Sequence, residues 1–446
     1  MTAAEYIPLP RLFLDAVDRF TNPRAQVYRT DAGWQAISAG EMLRRVAGLA
    51  KALAGLGIQN GDRVGIFAPN CPEWHVADFA IQGLGAVVVP VYFRESTERL
   101  TYVLKDSGAR IAFTAGEEQS HKIAECRQNL PAIEHVISAT VAAHPGGGTR
   151  SAAQGSAPLN GTLRYQDVIA AAGEAEITEY RRRAAEVTSD QLATIIYTSG
   201  TTGEPKGVML NHANLSSNSR DFSEEFEMSP SDVALSLLPL AHVYERTIDY
   251  GYIFRGVSVA YVEQPETVAQ ALLEVRPTTM AAVPRFYEKT YANIIEKGHR
   301  ESGLKRKILD DAMRTAGKAV PWRAYGKSVP WTVKLRWRIA DRLVYSKIRA
   351  GVGGRIRIFS SGGAPLAPEL AEFFWSVGLP VYQGYGLTET SPVVTFSSPK
   401  TYRVGTVGRP IPNVQLRIAD DGEILVKGPC VMQGYYHKPE ETRAVL

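Results

Sequence analysis

Residues 195–207, with the sequence IIYTSGTTGEPKG, combine the properties that bind phosphate. Two β-branched apolar residues, Ile195 and Ile196, begin the segment and are typical of a buried strand. After them, glycines allow backbone N–H groups to converge on an anion, while hydroxyl groups add donors and a lysine adds positive charge. A flexible surface loop is the alternative, and the preceding strand disfavours it. The segment predicts a phosphate-binding loop over 198–206, formed by Thr198, Ser199, Gly200, Thr201, Thr202, Gly203 and Lys206.

The spacing of this loop differs from the Walker phosphate-binding motif, which requires G-x-x-x-x-G-K-[ST]. Pro205 precedes Lys206 and removes one backbone donor, and Gly207 takes the place of the hydroxyl residue that would hold Mg²⁺. A kinase-like or GTPase-like phosphate site is therefore disfavoured.

Further motifs follow the loop along the chain. They are SSGGAPL at 360–366, QGYGLTET at 383–390, VGTVGRPIP at 404–412 and GEILVKGPCVMQGYYHKPEET at 422–442. Together with 195–207, and in the same order, they resemble the signature of the adenylate-forming (AMP-binding) superfamily, which includes acyl-CoA synthetases, nonribosomal peptide adenylation domains and firefly luciferase. HVYERT at 242–247, PRFYEK at 284–289 and the basic stretch that follows resemble its long-chain fatty acyl-CoA synthetase branch.

The resemblance implies a two-step reaction. In the resembling enzymes, a carboxylate attacks the α-phosphorus of ATP to give an acyl-adenylate and pyrophosphate, and a thiol, usually that of CoA, then displaces AMP. The implied partners are a long-chain fatty acid, ATP and CoA, with Mg²⁺ as the metal cofactor. Such chemistry requires positioning and electrostatic stabilisation rather than a covalent side-chain nucleophile, in agreement with a sequence that shows no Ser/His/Asp set.

The resemblance also implies roles for individual residues. The loop Thr198–Lys206 would hold the β- and γ-phosphates, and Thr388 would hydrogen-bond the α-phosphate. Glu389, together with Thr198, would bind Mg²⁺, which neutralises the developing charge. Tyr385 would stack on adenine. The remaining residues of the implied nucleotide site are Gly362, Gly363, Ala364, Gln383, Gly384 and Gly386.

His242 matches a family histidine near the α-phosphate and the acyl pocket, although a lone histidine is as often structural. Some fatty acyl-CoA synthetases carry an aromatic gate four residues later. Here that position is Arg246, so the resemblance does not extend to gate control by this residue.

The motifs end shortly before Leu446. In the family, a ribose-binding aspartate, a hinge and a small C-terminal domain with a catalytic lysine follow the last motif. The chain is therefore expected to be the large N-terminal domain alone and poorly active. The alternatives are a non-catalytic acyl- or nucleotide-binding module docked on a membrane, and an adenylating enzyme for another acid or a carrier-protein thiol.

Composition is that of a globular protein: 446 residues, 45% hydrophobic and 22% charged. No apolar run reaches the ~18–20 residues that span a bilayer. The N-terminus does not resemble a signal peptide, and three scattered cysteines are typical of the reduced cytoplasm.

The net charge of +4 is unevenly distributed along the chain. Residues 297–349 form a basic block with 15 Lys/Arg against four Asp/Glu. Basic helices that carry tryptophans, here Trp322, Trp331 and Trp337, can contact anionic membranes. A solvated basic face with its tryptophans in the core is the favoured interpretation. No nucleic-acid recognition module is present in the sequence.

Strand and helix patterns alternate through most of the chain. Strands are predicted at 63–70, 86–93, 109–115, 135–140, 233–243 and 257–262, helices at 41–57 and 73–85, and an exposed loop at 139–161. The pattern predicts an α/β fold, a layered αβαβα body of two mostly parallel sheets, with a smaller β-rich, barrel-like lobe. Approximate boundaries are 1–190 for a first α/β subdomain, 191–395 for a second that contains the phosphate loop, and 396–446 for the lobe.

Overall fold

The computed structural model describes residues 6–139, 162–170, 172–199 and 204–446, with Ser199 described by its backbone alone. The strands are β1 (Gln26–Thr30), β2 (Gly33–Ile37), β3 (Arg63–Phe67), β4 (Val87–Val91), β5 (Ile111–Ala115), β6 (His135–Ala139), β7 (Thr162–Arg164), β8 (Leu192–Ser199), β9 (Pro205–Asn211), β10 (Val233–Ser236), β11 (Ser258–Tyr261), β12 (Thr279–Ala282), β13 (Ile358–Ser361), β14 (Val381–Gly386), β15 (Val393–Phe396), β16 (Arg409–Pro410), β17 (Gln415–Ile418), β18 (Ile424–Lys427) and β19 (Gly434–Tyr435). The α-helices are α1 (Leu9–Phe20), α2 (Ala39–Gly55), α3 (Pro72–Gly83), α4 (Thr97–Ser107), α5 (Glu117–Cys126), α6 (Tyr165–Ala170), α7 (Glu174–Glu186), α8 (His212–Glu225), α9 (Val243–Phe254), α10 (Val268–Val275), α11 (Pro284–Arg300), α12 (Gly303–Arg323), α13 (Trp331–Ala340), α14 (Ser346–Ala350), α15 (Pro368–Ser376) and α16 (Pro439–Arg443).

Two large sheets confirm the predicted α/β class. One has nine strands in the order β16-β15-β14-β13-β12-β10-β11-β1-β2, and the other has eight in the order β19-β9-β8-β4-β3-β5-β6-β7. The interior strand pairs of both sheets are parallel, and the antiparallel pairs lie at their ends. Strands β4 and β5 are buried at every position, as expected for parallel strands covered by helices on both faces.

Helix α2 illustrates how the local sequence positions these layers. The Ser38 hydroxyl accepts the N–H of Glu41 at 3.1 Å, so the helix begins two residues before the predicted start at 41. Its buried side follows the spacing of three and four residues that the sequence indicated: Met42, Val46, Leu49 and Leu53.

Strand β10 is shorter than the predicted strand at 233–243. After Ser236, the N–H of Leu237 donates to the Glu245 carboxylate at 2.7 Å instead of to a neighbouring strand, and α9 begins at Val243. The predicted loop at 139–161 lies outside the described residues, except for Ala139 at the end of β6.

The chain after 400 is β-rich, as predicted, and its described strands are divided among three sheets, so the barrel-like shape of the lobe stays a prediction. Strand β16 extends the nine-stranded sheet, β19 extends the eight-stranded sheet, and β17 and β18 form a separate hairpin. The N-terminal hairpin β1–β2 also joins the sheet that carries β10 to β16, and the subdomain boundaries near 190 and 395 stay a prediction.

A buried charged network connects the two halves of the fold. Arg246 of α9 pairs with Asp78 of α3, and both side chains are fully buried. Arg246 also donates to Thr194 of β8 at 2.8 Å and to Tyr250 at 2.7 Å, and Gln82 donates to Asp78 at 2.7 Å. Because the charged groups of Arg246 and Asp78 both have hydrogen-bond partners, these contacts offset the desolvation cost of burying them.

Asp249, one turn after Glu245 on α9, provides a pH-dependent contribution to stability. Its carboxylate is fully buried and lies 3.9 Å from the ring of His75. Burial raises the pKa of Asp249 and of its neighbouring carboxylate Glu245, so that each holds its proton more tightly, and burial lowers the pKa of His75 to about 3.

We therefore expect Asp249→Asn to flatten the pH dependence of stability. Asp249 binds its proton more tightly in the folded state, so its contribution is complete below the unfolded pKa, near 4, and is lost as pH rises through the raised folded value. Relative to the variant, the parent should lose up to about 1.4 kcal/mol of unfolding free energy per pH unit in that window. Urea unfolding across the window measures this, with exposed Asp420→Asn as control. Parallel curves for parent and Asp249→Asn would contradict it.

Candidate active site at the carboxyl ends of the parallel strands

The predicted nucleotide segments meet at one edge of the nine-stranded sheet. In parallel register, Ala282 at the end of β12 pairs with Ser361 at the end of β13, and Ser361 pairs with Gln383 of β14. The turn 362–364, which follows β13, therefore lies beside the segment 383–386, which forms the carboxyl half of the neighbouring strand β14. The carboxyl edge of a parallel sheet is where ligands bind in α/β folds.

Two buried polar groups at this edge have no hydrogen-bond partner among the described residues. They are the Gln383 side-chain amide nitrogen and the Ser361 hydroxyl. Close by, an added Cβ on Gly362 would lie 3.0 Å from the Tyr244 ring, so the turn passes directly against α9. A buried amide without a partner destabilises a protein, and a ligand that supplies an acceptor satisfies it.

Gly386 allows the chain to turn sharply after β14. A Cβ at this position would lie 1.6 Å from the carbonyl oxygen of Pro392, so no side chain fits without moving the backbone. The following residues form a 3-10 helix, Thr388–Thr390, in which the Thr390 hydroxyl accepts the N–H of Leu387 at 2.9 Å. This turn presents Thr388 and Glu389, both half-buried, beside the segment 383–386.

Tyr435 connects two residues of the predicted phosphate site. Its hydroxyl donates to Glu389 Oε1 at 2.7 Å, and the Lys206 ammonium lies 5.2 Å from the centre of its ring. Burial and the neighbouring Glu389 raise the pKa of Tyr435, so the hydroxyl keeps its proton. Strand β19 places Tyr435 opposite Val208 of β9. No role of Tyr435 was predicted from the sequence, although this residue lies in the motif at 422–442.

The two ends of the predicted phosphate loop lie in the antiparallel strands β8 and β9. Thr198 pairs with Lys206 and Ser199 pairs with Pro205, so these residues lie in strands and the predicted loop over 198–206 is shorter than expected. The predicted donors Gly200, Thr201, Thr202 and Gly203 lie outside the described residues, as does the side chain of Ser199.

His242 caps the N-terminus of α9. Its Nδ1 accepts the N–H of Tyr244 at 3.1 Å, which leaves the proton on Nε2 in the neutral ring. The side chain is exposed at one side, yet desolvation by the surrounding protein lowers its pKa, so the ring is neutral at pH 7. This hydrogen bond supports a structural role for His242. The N–H group at Nε2 takes no part in it.

Arg246 lies one turn later on the same helix and faces the interior. Its guanidinium contacts Asp78, Thr194 and Tyr250, and none of its surface is exposed. The position that carries an aromatic gate in some resembling enzymes is therefore occupied by a buried ion pair in this chain.

The described residues contain no group of three or more His, Cys, Asp or Glu side chains able to hold a metal ion. Glu389 is a single carboxylate with one oxygen held by Tyr435. Mg²⁺ is commonly bound by one or two carboxylates, water and substrate phosphates, so a lone glutamate beside the predicted phosphate site fits this ion.

Comparison with known proteins agrees with this arrangement. Residues 13–436 match the family of AMP-binding enzymes, so the chain belongs to that family. It is 37% identical over 417 residues to the long-chain-fatty-acid–CoA ligase FadD15 of Mycobacterium bovis, covering 92% of this chain and 66% of the relative. It is 31% identical over 444 residues to the peroxisomal long chain acyl-CoA synthetase 6 of Arabidopsis thaliana, covering 96% of this chain and 60% of the relative. The chain thus spans just under two thirds of the length of these relatives.

Solved structures show the same fold. The anthranilate CoA ligase AuaEII, solved with anthranoyl-AMP, superposes with a TM-score of 0.74 at 19% identity, covering 100% of this chain and 74% of that one. The N-terminal domain of FACL13 from Mycobacterium tuberculosis superposes with a TM-score of 0.69 at 21% identity, covering 98% of this chain and 93% of that one.

Proposed function

We propose that the protein activates a long-chain fatty acid with ATP, forming an acyl-adenylate and pyrophosphate, and that the acyl group then passes to CoA. The observation that carries the proposal is the register Ala282–Ser361–Gln383, which sets the segments of the nucleotide motifs side by side. Membership of the AMP-binding family and the names of the relatives support the fatty acid and CoA.

In this proposal, the carboxyl edge of the sheet binds the nucleoside. The Gln383 amide nitrogen, buried without a partner, donates to an acceptor on the adenine ring, and the backbone of Gly362, Gly363 and Ala364 lines the base. Tyr385, half-buried on β14, provides an aromatic face for stacking. Gly384 and Gly386 allow Phe396 and Pro392 to pack directly against β14, which fixes the position of Tyr385 between them.

The phosphates lie between Lys206 of β9 and the 3-10 helix Thr388–Thr390, which Tyr435 links. Lys206 and the donors Thr198, Ser199, Gly200, Thr201, Thr202 and Gly203 bind the β- and γ-phosphates. Thr388 donates to the α-phosphate, where the carboxylate of the fatty acid attacks. His242, neutral with its proton on Nε2, adds a donor near the reacting groups without adding charge. Together these contacts stabilise charge that moves from the attacked phosphorus to the leaving pyrophosphate.

Glu389 and Thr198 would hold Mg²⁺, which supplies charge neutralisation between the phosphate oxygens. Tyr435 orients Glu389 for this role by donating to one carboxylate oxygen, as residues behind a metal ligand commonly do.

A cytoplasmic location is proposed as well. The three cysteines, Cys71, Cys126 and Cys430, are buried free thiols, which suits a reducing compartment.

The proposal is tested by mass-spectrometric detection of acyl-AMP, and of acyl-CoA when CoA is added, with acids that range from acetate and benzoate to palmitate. We expect acyl-AMP from the long-chain acids at a rate at least about tenfold above that from acetate or benzoate, since each additional buried methylene contributes about 0.8 kcal/mol. Preference for acetate or benzoate would refute the substrate class. Tight nucleotide binding without acyl-AMP from any acid would favour a binding module.

A further inference from the structure

An exposed apolar stripe runs along α13 and the π-helical turn that follows it, Asp341–Tyr345. Its members are spaced four residues apart and lie along one side of the helix, since residues at this spacing are neighbours on a helix surface. They are Trp331, Leu335, Ile339 and Leu343, with 73%, 47%, 54% and 46% of their surface exposed. A contiguous apolar row of this kind marks an interaction surface more often than a face that meets only water.

The opposite side of α13 is firmly packed. The Trp337 indole donates to the Ser376 carbonyl at 2.7 Å, and its ring meets the edge of Trp322 at 5.6 Å. The hydroxyl of Tyr345 donates to the Ala312 carbonyl at 2.6 Å. The favoured sequence interpretation, with tryptophans of the basic block in the core, therefore holds for Trp337 but not for Trp331. The stripe is a fixed feature of the folded protein.

Positive charge surrounds the stripe. Residues 331–350 contain six Lys/Arg and a single acidic residue, Asp341, whose charge is paired with Arg349 at 2.6 Å. The exposed cations without an acidic partner among the described residues are Arg336, Arg338, Arg342 and Lys347. At about 100° per residue, Arg336 and Arg338 lie on opposite sides of the stripe.

An apolar row edged by cations is the pattern of a helix that lies in the interface of a membrane, where apolar side chains enter the acyl region and Lys/Arg contact anionic headgroups. A second copy of this chain would bring the same positive charge against the stripe, and like charges disfavour such a pair. Among the described residues, no helix combines the length and apolar character needed to cross a bilayer. We propose that the stripe and its flanking cations form a docking surface for anionic lipid bilayers. This surface is separate from the residues of the proposed active site.

Vesicle flotation tests the proposal with two membranes: phosphatidylcholine alone, and phosphatidylcholine mixed with phosphatidylglycerol. We expect binding to the anionic vesicles only, with a decrease at high salt. Each well-placed Lys/Arg contributes about fivefold to partitioning at low salt, so the triple variant Arg336→Gln/Arg338→Gln/Arg342→Gln should lower it by about 100-fold. Leu335→Asn/Ile339→Asn should also abolish most binding, because it removes the apolar anchor while retaining the cations.

The matched control is Arg417→Gln/Ile418→Asn, which changes an exposed cation and an exposed apolar side chain on β17, with Ile418 66% exposed. It should bind as the parent does, and circular dichroism should show that every variant is folded. Trp331 provides a direct probe: its fluorescence should shift to the blue on anionic vesicles and be quenched by brominated lipid, and Trp331→Phe should remove most of that response.

Three results would overturn the proposal: equal binding to both vesicle types, no binding to either, or unchanged binding by both stripe variants. A concentration-dependent dimer that Leu335→Asn/Ile339→Asn dissociates, in the absence of vesicle binding, would assign the stripe to a second copy instead.

Discussion

Replacing Glu389 with Gln is expected to lower the rate of acyl-adenylate formation by about 10²–10³-fold, while AMP binding changes little. The variant keeps the size of the side chain and its acceptor for Tyr435, but loses the negative charge that the proposal assigns to Mg²⁺. That charge matters most as pyrophosphate separates, and AMP binding does not require the metal. Mg²⁺-dependent ATP–pyrophosphate exchange measures the first quantity, and calorimetric titration with AMP measures the second.

Two further variants separate charge from position. Tyr435→Phe removes the hydrogen bond to Glu389 and retains the ring beside Lys206, so exchange should fall by about tenfold, as expected for one hydrogen bond to a charged group. Glu423→Gln, at an exposed acid between β17 and β18, is the matched control and should leave exchange unchanged. A loss smaller than tenfold in Glu389→Gln would show that other groups hold the metal.

Replacing Arg246 with Met should lower the free energy of unfolding by about 3–5 kcal/mol. The change leaves the Asp78 carboxylate buried between α3 and α9 without its ion pair, while Tyr250 and Gln82 remain as donors. Methionine matches the length of the arginine stem, so most of the loss reports the unpaired charge rather than a cavity. Urea unfolding followed by circular dichroism measures the difference.

The surface pair Arg182–Glu179, with 55% and 47% of its side chains exposed, provides the comparison. Arg182→Met should change stability by less than about 1 kcal/mol because solvent screens exposed pairs. Adding Asp78→Leu to Arg246→Met should recover part of the loss, since it removes the buried charge that Arg246→Met leaves unpaired. If Arg246→Met were no more destabilising than Arg182→Met, the network would not hold the two halves together as described.

Local residue patterns were sufficient to predict the fold class and the family. Strand and helix periods follow from which side chains are apolar, and the nucleotide motifs are short segments whose glycines and hydroxyls are adjacent in the chain. For this reason the α/β class of two mostly parallel sheets is confirmed, and the motif resemblance agrees with the family match over 13–436. The roles of the individual site residues stay predictions.

The contacts that position the candidate site could not be predicted, because they join residues far apart in the chain. Tyr435 and Glu389 are separated by 46 positions, and Arg246 and Asp78 by 168. Such pairs depend on strand order and helix packing, which local periodicity does not encode. The exposure of side chains also depends on tertiary packing. The sequence shows three tryptophans in the basic block, but it is the packing of α13 against its neighbours that buries Trp337 and leaves Trp331 at the surface.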